Sequence, residues 1–402
     1  MACKGAVVDA TERVSQPPSR LARSLGRVAE ATHWIGRAAG ATHWLARLAG
    51  VLGTALGAAP AHAVALPENS AEGMLHVFKG GGVTASGPAL LVRKSLADRV
   101  SLSGSYYVDS VSNASIDVVT TASPFRERRN AYDLGMDYVV RDSLISVSTS
   151  YSKEPDYVAS AVNMDVAQEV FGGMTTVNLG FTRAADQVRK VTDAAFYDEA
   201  KHWQYRLGIT QVLSPSWLMG ASVEAISDSG YLGNPYRVAL IFGAPVPERY
   251  PRTRSSRSIK LRAVGDLGSR DAVRAEYRYF YDNWDVRAHT VEAGYSRYVG
   301  SSWLADGFVR VNGQNQALFY KDDASAATTY LTRNRQLSTF NGFSLGGKLS
   351  YTYERVPGQY EIKLNAGYEL MRFKYSNFTD LRTGGAYAFT AHVMQFYVTA
   401  TY

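Results

Sequence analysis

Basic residues recur at alternate positions in the middle of this chain: Arg206, then Lys260 and Arg262, then Arg274 and Arg278, with Ile259, Leu261, Ala263, Val273, Ala275 and Tyr277 between and around them. Residues two apart share one face of a β-strand, so these side chains line one surface while the apolar ones line the other. Acids with the same strand parity fall elsewhere, at Asp109, Asp133, Asp137, Glu224, Glu292 and Glu369, with Lys363 near the last of them. Like charges on adjacent strands of a dry core would repel and lose their hydration, so a water-filled interior is their natural place. Two readings follow. In one, basic and acidic walls face each other across a pore and bias it toward small polar or anionic solutes. In the other, Arg274, Glu276 and Arg278 pair with neighbouring charges and brace the wall.

Little else in the chain points to bond-making chemistry. After residue 63 the histidines are His76, His202, His289 and His392, with no i, i+4 metal pair and no His-x-Ser arrangement. Gly80-Gly81-Gly82 lacks the Lys-Ser/Thr and the helix of a phosphate loop; it reads as a tight bend. The only cysteine, Cys3, lies in the leader, so no thiol, disulfide or Cys-ligated metal is expected in the mature chain. The expectation is a protein that is not an enzyme and needs no cofactor.

The elements that carry these charges are long alternating strands. Val100, Leu102, Gly104, Tyr106 and Val108 oppose Ser101, Ser103, Ser105, Tyr107 and Asp109; Tyr132, Leu134, Met136 and Tyr138 oppose Asp133, Gly135 and Asp137. Ile362, Leu364, Ala366, Tyr368 and Leu370 oppose Lys363, Asn365, Gly367 and Glu369, and the chain ends on His392, Met394, Phe396, Val398, Ala400 and Tyr402. Strands of a soluble sandwich average about 5–6 residues, shorter than these, and turn their polar side outward. Tight turns near Asp98, Arg141-Asp142, Gly172-Gly173, Ser214-Pro215, Gly268-Ser269, Gly300-Ser301 and Pro357-Gly358, with longer polar segments between, match short periplasmic turns and long external loops. Adding a first strand around Leu75 and the terminal strand predicts an all-β, transmembrane, antiparallel up-and-down barrel of about 16 strands, or roughly 14 or 18 if a hairpin is misread. Such a barrel leaves an aqueous passage unless loops fill it.

Residues 1–63 differ from the rest. Arg20, Arg23, Arg27, Arg37 and Arg47 precede an uncharged run, and Ala61-His62-Ala63 offers small residues at signal-peptidase spacing, which predicts an export signal at 1–63 and a barrel at 64–402. The run is rich in Ala and Gly and holds Pro60, too weakly apolar for a membrane anchor. Mean hydropathy is −0.18, which a barrel with a wet interior tolerates because only alternate residues are apolar. The chain's net charge of +7 falls to a few units once the leader is removed, too few to indicate nucleic acid.

The stretch 86–129, with "SNASIDVVTTASPF" inside it, resembles the bacterial family of unknown function DUF3570, as does Asn234-Pro235-Tyr236-Arg237 followed by Tyr250-Pro251-Arg252-Thr253-Arg254. The resemblance implies an exported barrel in the bacterial outer membrane, among lipid and lipopolysaccharide. It carries no activity and hence no catalytic residues. It also implies, as possible partners, a small lipoprotein or an envelope redox system, for which the barrel would be a scaffold or sheath. Monomer and trimer both remain open.

The loops divide by composition. Residues 112–128 hold Ile116, Asp117, Val118 and Val119 in a segment too apolar to float in water, which predicts a plug folded inward or a partner contact. Residues 227–254 carry four prolines with Arg237, Arg252 and Arg254, a stiff basic segment that either docks on lipopolysaccharide or a lipoprotein or stays solvated. Residues 321–335 and 376–385 read as ordinary external loops.

Overall fold

The structure is a computed structural model that describes residues 65–113 and 125–402. Ile116, Asp117, Val118 and Val119, and the leader with Cys3, lie outside the described residues. The strands are β1 (Ser70–Gly80), β2 (Val83–Ala97), β3 (Val100–Asn113), β4 (Phe125–Val140), β5 (Ser143–Lys153), β6 (Tyr157–Val170), β7 (Thr175–Lys190), β8 (Asp193–Ser214), β9 (Trp217–Gly230), β10 (Val238–Ile241), β11 (Ala244–Pro247), β12 (Thr253–Gly268), β13 (Asp271–Asp282), β14 (Arg287–Val299), β15 (Trp303–Gln314), β16 (Phe340–Val356), β17 (Tyr360–Thr379) and β18 (Ala386–Thr401). All but the β10–β11 hairpin join one closed, antiparallel, sixteen-stranded barrel. The first and last strands seal it, from Ser70↔Thr401 to Gly80↔Ala391. Closure pairs both sides of every barrel strand, which is what hydrocarbon demands of a sheet.

The two faces separate as the alternation predicts. On β4, Leu134 is 65% exposed while Asp133 and Asp137 are buried inside. Leu75, Leu90, Leu261, Val291, Leu345 and Phe396 stand outward around the circumference. Among the described residues no helix is long and apolar enough to cross a membrane; strands make the crossing. A closed barrel with an apolar exterior and an ionised interior is a membrane barrel, and it lies in the bacterial outer membrane.

All seven anticipated tight turns close hairpins at one end, together with the paired ends of β1 and β18. The predicted contrast with the other end is only partial. External connections are also short at Gly81-Gly82, at 154–156, at 191–192 and at 283–286. Reversing a hairpin needs no more than this, and in Gly81-Gly82 both residues hold positive φ, 56° and 81°, where glycine carries no Cβ penalty. Length is concentrated instead in three described connections, β9–β12, β15–β16 and β17–β18.

High on the barrel the polarity of the wall inverts. On β17, Arg372 and Lys374 are exposed outside while Met371, Phe373 and Tyr375 are buried inside. Crossing a bilayer takes about 9–11 strand residues, whereas β17 has 20 and β8 has 22. The surplus stands outside the lipid, where water is the outer solvent and the interior becomes an ordinary apolar core. Phe78, Phe280, Trp284, Phe340, Phe378, Tyr387 and Phe389 belong to it.

Candidate functional site

The barrel interior divides into an ionised wall within the membrane and an external lid. In the periplasmic half, inward side chains keep part of their surface: Lys363 34%, Asp165 27% and Arg206 18%. Inside a closed wall such exposure leaves these groups in reach of water, whereas Asp133 and Asp137 in the same half are buried. Arg206 donates to Asp165 at 2.7 Å, and Lys363 lies 2.6 Å from Glu361. Asp133 accepts from Ser105 at 2.7 Å and Asp137 from Ser146 at 2.5 Å, with Ser146 directly opposite Asp165.

On β12 to β15 the charges close up. Register sets Arg262 opposite Glu276, Glu276 opposite Glu292, and Glu292 opposite Arg310, a cross-strand ladder over β12 to β15. Arg310 is nearly fully buried; it binds Glu292 at 2.5 and 2.7 Å and reaches Glu369 on β17 at 3.4 Å. Arg274 forks onto Asp306 at 2.5 and 3.0 Å. Glu224 and Arg278 are buried at this level, and Lys260 sits directly opposite Arg278, two cations abreast that both make further electrostatic contacts. Paired in this way, buried charges replace lost hydration with charge-assisted hydrogen bonds. The interior-facing positions anticipated from sequence therefore converge, and Asp165, Asp306, Arg310 and Lys348 join them. Their strand parity carried that signal; what hid them was that no neighbouring motif singled them out.

The external level is a lid. On one side His202 is clamped between Asp186 at 2.9 Å and Asp228 at 2.5 Å, and Arg254 binds Asp282 at 2.5 Å with its guanidinium 4.4 Å from the Trp284 ring. His76 contacts Asp109 at 2.8 Å and the Tyr107 hydroxyl at 2.6 Å. Over the mouth the β9–β12 and β15–β16 connections interlock with each other and with the end of β17. The Arg249 N–H donates to the Leu331 carbonyl at 2.9 Å, and Ala324 N–H to that of Leu240 at 2.9 Å; Arg333 donates to the Thr379 carbonyl at 2.6 Å and stacks 4.3 Å from Phe378. Ala317, Tyr320 and Leu337 are buried in the aromatic core.

Two sequence readings are corrected here. Residues 321–335 are not an ordinary loop but part of the lid, because Ala324, Leu331, Thr332, Arg333 and Asn334 are buried against other segments; 376–379 continue β17, and 381–385 is an exposed external turn. In 227–254, Arg237 and Arg254 are buried and cannot meet lipopolysaccharide; each lies where acids inside the barrel neutralise it better than a surface could. Arg252 alone of the three stays exposed, forked onto Asp198 at 2.8 and 2.7 Å.

The comparisons place this architecture. The profile of the family described as protein of unknown function (DUF3570) matches residues 28–378. The chain belongs to the DUF3570 family. Comparison with curated proteins gives no match. Among solved structures, the DUF3570 barrel is similar to the siderophore receptor PirA from Pseudomonas aeruginosa, with 9% identity, TM-score 0.42, and coverage of 79% of this chain and 60% of the receptor. It thus spans well under two thirds of that receptor's length. A bacterial polysaccharide outer membrane secretin gives 9% identity, TM-score 0.49, and coverage of 84% and 100%. OmpT, an outer membrane protein of Vibrio cholerae, gives 7% identity, TM-score 0.43, and coverage of 84% and 100%.

The motif pair quoted for DUF3570, Asn234 to Arg237 and Tyr250 to Arg254, forms the root of the lid. Between the two, Glu248 accepts from the Thr332 hydroxyl at 2.8 Å, the Arg333 N–H at 2.9 Å and the Tyr250 hydroxyl at 3.1 Å. Burial raises the Glu248 carboxyl above its ordinary value of 4.5, outweighing Arg237 and those donors, and burial also raises the Tyr250 hydroxyl. An acid raised by folding stabilises the closed lid below its unfolded value and loses that contribution as pH climbs through the raised one. Hydrogen exchange in 231–252, corrected for intrinsic rates, will therefore accelerate as pH rises above 4.5, and Glu248→Gln will flatten the dependence. A wild-type lid that loosens on acidification instead would contradict this sign.

Proposed function

We propose that this barrel is a lidded, porin-like conduit for small polar solutes, with a preference for anions. What supports the reading is the set of ionised side chains facing the lumen, of which Lys363, Asp165 and Arg206 keep part of their surface. Both signs line the lumen, so polar solutes find partners there, and Lys260 beside Arg278 concentrates positive charge that favours an anion. The lid corresponds to the closed condition. We read the barrel as non-catalytic: His289 and His392 stand on the outer face, bonded to the hydroxyls of Tyr277 at 2.9 Å and Tyr368 at 2.7 Å, as parts of an aromatic girdle.

Planar-bilayer recording under a potassium chloride gradient tests it. Small currents with an anion-side reversal potential are expected, shifting toward cations in Lys260→Glu/Arg262→Glu. Silence in both the wild type and a barrel with its lid shortened would remove the proposal. The closed mouth supports a second reading, a scaffold for a lipoprotein or envelope redox partner among outer-membrane lipid and lipopolysaccharide; that reading gains if mild crosslinking recovers such a partner from a barrel that never conducts.

A further inference from the structure

On the outer wall, where the first and last strands meet, one position in an otherwise continuous apolar row has no side chain. Register aligns Leu364, Val398, Gly73, Leu90 and Tyr106 across β17, β18, β1, β2 and β3. A Cβ at Gly73 would meet nothing within 4 Å. The gap opens into a groove of about 620 Å³, walled by Leu75, Leu90, Leu364, Phe396 and Val398 and bounded above by Pro88. Close by, β2 and β3 leave Gly87 and Pro88 out of their ladder, since Pro88 has no N–H to give.

Directly below the groove on the same outward face of β2 stands Lys94, exposed, its ammonium 4.7 Å from the ring of Tyr402. Leu90 and Lys94 are separated by about 13 Å at roughly 3.3 Å per strand residue. That places the charge at the periplasmic edge of the lipid-facing band and the groove within the periplasmic leaflet.

We infer that this seam groove is a phospholipid site: one acyl chain lies over Gly73 between Leu75, Leu90, Phe396 and Val398, and the lipid phosphate pairs with Lys94. The occupant follows from position and charge, because the groove is continuous with the band that hydrocarbon already covers and the exposed charged side chain below it on the same face of β2 is the cation Lys94. A chain seated there buries apolar surface that neither a neighbouring side chain nor water covers well.

Native mass spectrometry of the full barrel in mixed micelles with phosphatidylglycerol or phosphatidylethanolamine tests the site, with the gel shift on heating as the check of folding. The wild type will carry one retained lipid, with phosphatidylglycerol preferred. Gly73→Phe, which fills the groove from its floor, will lower occupancy by about tenfold, a difference of about 1.4 kcal/mol. Lys94→Gln will abolish the preference between the two lipids. Equal occupancy in folded Gly73→Phe overturns the groove as a site, and an unchanged preference in Lys94→Gln overturns the phosphate contact. Should Gly73→Phe not fold, Leu90→Trp closes the groove from its wall and is read in the same way.

Discussion

Shortening the β15–β16 connection, with residues 318–334 replaced by a four-residue glycine-serine link, is expected to raise single-channel conductance by about tenfold or more, because a barrel of about 16 strands is wide enough for an aqueous channel once its loops are withdrawn. The segment removes Tyr320, Leu331 and Arg333 at once, and with them the bonds to the Thr379 carbonyl at the end of β17 and to the Arg249 backbone that lock the lid in place. It leaves the barrel ladder intact, since β15 ends at Gln314 and β16 begins at Phe340. The barrel should therefore still shift on a gel when heated. Current that stays at the wild-type level in a folded variant would mean that the aromatic walls, and not the lid, seal the mouth.

The second large effect concerns Arg310. Truncating it to Ala removes the guanidinium that joins Glu292 to Glu369 and leaves Glu292 with the more distant Arg274, at 3.8 Å. Removing one partner of a buried ionic group costs about 3–5 kcal/mol, so Arg310→Ala should lower the urea midpoint markedly in refolding from detergent or vesicles. Arg310→Met combined with Glu292→Gln and Glu369→Gln should recover most of that loss, because no buried charge is then left alone. A midpoint in Arg310→Ala within error of the wild type would show that water already solvates this layer, despite the burial of Arg310.

Much of the architecture could be read from residue order. Period-two alternation placed Leu134 outside and Asp133 inside, and turn chemistry at Arg141-Asp142, Gly172-Gly173 and Pro357-Gly358 located the periplasmic hairpins. Both signals are local: a strand needs only its own alternation to choose a face, and a turn only its own residues to reverse. The lid was not legible for the same reason. Tyr320, Leu331 and Arg333 lie in a segment of no regular period, and their burial depends on Leu240, Glu248 and Thr379, which are remote in sequence.

The ion pairs sit between these cases. That Arg262, Arg274, Glu292 and Glu369 face inward followed from parity alone, because a one-residue slip would have put charge in lipid. Which acid each arginine meets depended on register summed across neighbouring strands, which set Arg310 opposite Glu292 and carried Arg274 past its neighbour to Asp306. The inversion on β17 likewise needed the third dimension: Phe373 and Tyr375 turn inward only because that part of the wall rises out of the bilayer. Sequence by itself determined a barrel with greasy outside and ionised inside, since lipid and water impose that pattern residue by residue. Tertiary structure decided which charges pair across the bore and which loops lock over its mouth, since those outcomes rest on contacts between segments that no local pattern connects.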